Sequence, residues 1–157
     1  MDHFISALLS KYTLTIPKED DWFVPLLGDW DLRIYREPGG VPVHGEWFFR
    51  RVLNGTGIED VFICPTDSHS DEYGASIRMY HMGQKNYIVT YASTKETLQL
   101  CFVKDGRHLV GTLLENPTEK WVFSEIRQDT FRFQKVTALD GGAWRVNCDI
   151  FANRKQN

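Results

Sequence analysis

The sequence predicts an all-β fold, an antiparallel meander closed into a barrel of about 8–10 strands behind a short N-terminal helix. Three observations lead there. From Gly28 onward, apolar residues recur with the period of two that marks a half-buried strand. Turn chemistry punctuates that pattern at short intervals, at Pro38-Gly39-Gly40, Asn54-Gly55, Asp105-Gly106 and Asp140-Gly141-Gly142. Between the strands there is no helical stretch long enough to be a crossover, which excludes a parallel α/β sheet. Sequential strands joined by short loops form a meander, and closing it removes its two exposed edges.

Phe4, Ile5, Leu8, Leu9 and Tyr12 fall at helical spacing and place an amphipathic helix over Asp2 to Tyr12. Its expected role is to pack on the domain over one mouth of the barrel, rather than to meet a membrane or a partner. Pro17 and the acidic Glu19-Asp20-Asp21 end it. Phe23 to Leu27 then leads through a short helical turn into the first strand, Asp29 to Tyr35, with Trp30, Leu32 and Ile34 on one face. His44 to Leu53 and Gly57 to Cys64 form a hairpin around Asn54-Gly55. A polar loop, Pro65 to Gly74, precedes Ala75 to His81 and Asn86 to Ser93. Thr97 to Lys104 meets Arg107 to Leu114 through Asp105-Gly106. Lys120 to Ile126, Thr130 to Thr137 and Trp144 to Asn153 complete the set. Residues 1–22 are therefore read as helix and linker, and residues 23–155 as the barrel domain.

The 157 residues suit one domain with one core. A net charge of −3 without a basic block argues against a nucleic-acid partner. Cys64, Cys101 and Cys148 form no Cys-x-x-Cys pair, which argues against a disulfide framework and for a reducing compartment, with the thiols as packing groups. Met1 to Leu14 lacks the basic start and the small-residue cleavage site of a signal peptide, and no apolar run approaches the roughly 20 residues that span a bilayer. The expected location is cytoplasmic, without membrane contact. His3, His44, His69, His81 and His108 show no metal-ligand spacing, and the paired glycines lack the pattern of a phosphate loop, so neither metal nor cofactor is expected. A haem would need an axial histidine, for which His81 or His108 is available.

Aromatic residues reach 13% and alternate along the strands. Trp47 and Phe49, Phe62, Tyr91, and Trp121 with Phe123 serve either as core or as the wall of a ligand cavity. Charges within or at the ends of strands are the second clue: Glu46, Arg50, Arg51, Asp60, Arg78 and Glu115. Asp60 and Arg78 fall on neighbouring strands, where they form a structural pair or hold a polar group of a ligand. Turned inward, Asp60 would gain a raised pKa and serve as an acid/base group, with Tyr80, Tyr91 and His81 as nearby donors. The candidate ligand-binding set is thus Trp47, Phe49, Asp60, Phe62, Arg78, Tyr80, Tyr91, Trp121 and Phe123; the candidate catalytic groups are Asp60, Glu46 and His81.

Leu27-Gly28-Asp29-Trp30 resembles the Gly-x-Trp opening of the calycin superfamily, the lipocalins and their relatives. Gly45 to Phe49, Leu53-Asn54-Gly55, Ile58 to Phe62, Arg78-Met79-Tyr80, Trp121 to Ile126, Thr130 to Phe133, Asp140-Gly141-Gly142 with Trp144, and Ala152-Asn153-Arg154 are similar to segments of bacterial lipocalin-like proteins related to the DUF1579 group. Phe62 and Phe133 stand where those proteins tend to carry Trp, and the segment between Gly142 and Trp144 is one residue shorter. The resemblance implies a lipocalin-like barrel in which Arg154 packs across Trp30 at the closed end. It implies binding of a small, largely hydrophobic ligand in the barrel or, as the alternative, a cofactor-independent cyclase, isomerase or hydratase acting there. A third possibility is that the N-terminal helix pairs chains into a homodimer.

Overall fold

The computed structural model describes residues 2–9, 16–65 and 72–156. It is a closed barrel of ten strands, each antiparallel to its predecessor. They are β1 (Gly28–Tyr35), β2 (Val43–Val52), β3 (Gly57–Cys64), β4 (Glu72–His81), β5 (Asn86–Ser93), β6 (Thr97–Asp105), β7 (His108–Leu113), β8 (Glu119–Ser124), β9 (Thr130–Ala138) and β10 (Trp144–Arg154). β10 returns to β1, with Trp30 opposite Arg154 and Ile34 opposite Ile150, so no edge remains.

Side-chain alternation sets the interior. Trp30, Leu32 and Ile34 of β1, Trp47 and Phe49 of β2, Phe131 and Phe133 of β9 and their counterparts around the barrel form one continuous core. Most strands match their expected bounds within one or two residues; β4 starts three residues early, at Glu72, inside the expected loop, where Glu72, Tyr73 and Gly74 pair with β3, and β8 and β10 differ from the expected pattern for local reasons. β8 ends at Ser124 rather than Ile126 because Glu125 takes a positive φ of 49°, which breaks the ladder. β10 carries a bulge between Val146 and Cys148 that changes its phase. Val146 thereby packs outside, on Val110, Val122 and Val136, while Cys148 joins the inner wall.

The N-terminal helix does not close a mouth. The described helix, α1, spans His3–Leu8, capped by the Asp2 carboxylate, which accepts the Phe4 N–H at 2.8 Å. None of its residues is buried, and Phe4, Ile5 and Leu9 face solvent. Its recorded hydrogen bond to the barrel is from Leu53 N–H to the Leu8 carbonyl at 3.1 Å; Tyr12 lies outside the described residues. The plug is the segment that follows, residues 16–27, with short 3-10 turns at Lys18–Asp20 and Val24–Leu26. Ile16, Phe23 and Leu26 are buried in the barrel core. Among the described residues no helix is long and apolar enough to cross a membrane.

Candidate functional site

The two ends of the barrel differ. At the closed end, the Arg154 guanidinium lies 4.3 Å from the centre of the Trp30 ring. Its nitrogens donate to the carbonyls of Leu27, Pro25 and Gln128 at 2.7 to 3.1 Å. The Trp30 indole N–H donates to the Leu26 carbonyl at 2.8 Å, tying the plug to β1. Gly28 is required here twice over: its φ is +122°, and a Cβ on it would sit 2.5 Å from Arg154 Nη1. Phe23 fills the bore between Tyr87 and Phe102, at ring distances of 5.0 and 5.6 Å. Tyr80 donates to the Asp20 carboxylate, Tyr87 to the Asp20 carbonyl at 2.7 Å, and Arg51 pairs with Asp21. The acceptor beside it and partial burial push the Tyr80 hydroxyl up to about 12.

A charged pair divides the bore. Asp60 and Arg78 are each 2% exposed and ion-paired. The Arg78 guanidinium lies 5.1 Å from Phe23, 5.3 Å from Phe49 and 5.8 Å from Phe123, inside the sealed half. Asp60 reaches from that half into the open one, where it lines a cavity of about 170 Å³.

That cavity is walled by Trp47, Phe62, Tyr91, Trp121 and Phe133, backed by Ile34 and Ile150. The rings interlock: Trp47 lies 5.3 Å from Phe62 and 5.1 Å from Phe133, and Tyr91 lies 5.3 Å from Trp121. Among the described residues the buried Trp47 Nε1–H has no acceptor. Ser76 supplies a hydroxyl to the lining, and Arg36, Cys64, Glu72, Lys135 and Cys148 complete it. Arg36 donates to Cys64 Sγ at 2.9 Å and to the Pro65 carbonyl. Glu72 meets Lys95 at 3.3 Å. The Lys135 ammonium lies 4.6 Å from the Trp121 ring centre. Burial pushes the Tyr91 hydroxyl and the Cys148 thiol up, so both stand neutral at pH 7.

Of the residues expected at a site, Trp47, Asp60, Phe62, Tyr91 and Trp121 converge on this cavity. Phe49, Arg78 and Phe123 lie beneath it in the sealed core, and Tyr80 belongs to the plug. Two of the catalytic candidates lie elsewhere. Glu46 has the opposite phase to Trp47, so it faces outward and pairs with Lys155 at 2.8 Å. His81 is exposed at the end of β4, and His108, the other histidine considered for haem, is exposed at the start of β7. Sequence reasoning overlooked Arg36, Glu72, Ser76 and Lys135 as lining residues, and preferred a packing role for Cys64 and Cys148. Lys135 was within reach, because it shares the inward phase of Phe131 and Phe133. Cys148 was too, because it shares the inward phase of Ile150 and Ala152; the bulge precedes it and turns Val146 out. Among the described residues, no three His, Cys, Asp or Glu side chains gather where they can hold a metal ion.

No family model and no curated protein matches the chain. Among solved structures, a redesigned β-barrel is similar at 12% identity and a TM-score of 0.48, over 84% of this chain and 93% of that one.

Proposed function

We propose that the protein binds one small, largely hydrophobic ligand in the open end of its barrel. The observation that carries this reading is the cavity itself, about 170 Å³ in the open end of the barrel and walled by the rings of Trp47, Phe62, Tyr91, Trp121 and Phe133. The cavity is smaller than the roughly 300–1,000 Å³ typical of drug-sized ligands, so its guest is compact, of the size of a single ring. Gly28, Trp30 and Arg154 at the sealed end suit a lipocalin-like affiliation, in which one mouth is closed and the other receives ligand. Binding is favoured over turnover because Glu46 and His81 lie away from the cavity and the Asp60 carboxylate is engaged by Arg78.

The test is a thermal-shift screen of compact ring compounds against the wild type and Ser76→Phe, which fills the cavity from β4. At one hundred times its Kd a ligand is expected to stabilise the wild type by about 2.7 kcal/mol and the variant hardly at all. Equal stabilisation of both proteins would move the site elsewhere, and no stabilisation by any compound would contradict the proposal.

A further inference from the structure

We infer that the ligand is an acid, with an apolar ring held by the aromatic walls and a monoanionic group received at the mouth by Lys135. This rests on the binding function proposed above and specifies the charge of the guest. Lys135 follows Phe131 and Phe133 in the inward phase of β9 and lines the cavity. Among the described residues it forms no ion pair; its ammonium lies over the Trp121 face, 4.6 Å from the ring centre. A cation held on an aromatic face retains most of its capacity to pair with an anion, because the ring supplies only part of its solvation.

The remaining charges of the cavity point the same way. The two carboxylates that line it are engaged, Asp60 by the fully buried Arg78 and Glu72 by Lys95. The neighbouring Cys148 thiol is neutral and offers Lys135 no countercharge. Among the described residues the cavity therefore keeps Lys135 as a lining cation without an ion pair, which selects a guest that brings negative charge and disfavours an amine.

The experiment is isothermal titration at neutral pH and low salt with three probes of one shape: phenylacetate, phenylacetamide and 2-phenylethylammonium. Phenylacetate is expected to bind about tenfold or more tighter than the amide, with the ammonium probe weakest. Lys135→Gln should erase the advantage of the acid and leave the amide unchanged, whereas Lys135→Arg should keep it; thermal melts confirm that both variants fold. Equal binding of acid and amide to the wild type, or an acid affinity unchanged by Lys135→Gln, overturns the inference and leaves ligand binding standing. If none of the three binds but neutral indole does, the inference again fails alone. If no ring compound binds, both fail.

Discussion

Arg154 joins the first strand, the last strand and the plug through one side chain. It stacks on Trp30 and saturates three carbonyls that would otherwise lack donors. Arg154→Ala is expected to lose about 2–3 kcal/mol in urea unfolding. Gly28→Ala should be severely destabilising alone but cost visibly less in an Arg154→Ala background, because the atom it strikes is then gone and only the strained φ remains. Additive losses would mean that the guanidinium does not occupy that space. The Asp60–Arg78 pair obeys a different rule. Asp60→Asn leaves a buried guanidinium uncompensated and should cost about 3–5 kcal/mol, while Asp60→Leu with Arg78→Met should recover most of that loss. At this scale the sequence was readable where a residue type has one physical use, as with Gly28 and Trp30, or where strand phase is unbroken, as with Trp47 and Lys135. It misled at Glu46, a carboxylate in a motif, whose phase already pointed outward.

The plug and the N-terminal helix show the limit at the next scale. Five apolar residues at helical spacing look like a packing face, yet α1 buries none of its residues, and the bore is filled by Phe23, just before the second of two short 3-10 turns, and Leu26, at its end, in a segment of little periodicity. Removing residues 1–9 should therefore change unfolding free energy by about 0.5 kcal/mol or less, whereas Phe23→Ala should cost about 3–5 kcal/mol. The plug is also expected to respond to alkali. Tyr80, raised to about 12 by its hydrogen bond to Asp20, holds its proton more tightly folded than unfolded. Its contribution is present below the unfolded value near 10 and is lost as pH climbs from there to about 12. Tyr87, shifted up mainly by burial, adds to the same loss. Stability followed across that range should fall less steeply in Tyr80→Phe than in the wild type; parallel curves would place the Tyr80 hydroxyl off Asp20.

Across the whole molecule, the meander, its closure and most strand limits followed from period-two patterning and turn glycines, which are local signals. The asymmetry between a sealed and an open end did not, because it arises from where residues 16–27 fold back and from a bulge in β10. That asymmetry is what allows one end to receive a guest. Trp30 and Trp47 report on the two ends separately, since the Trp30 indole N–H is held by the Leu26 carbonyl at the sealed end while the Trp47 ring walls the cavity at the open end. The decisive measurement is a titration of the ¹⁵N-labelled protein with phenylacetate or indole, following the indole N–H resonances by NMR. Binding in the open end predicts that the Trp47 and Trp121 signals shift together, because both rings wall the cavity, and that the Trp30 signal stays in place. Saturation that leaves Trp47 and Trp121 unmoved, or that shifts Trp30 instead, would contradict a ligand site at the open end of the barrel.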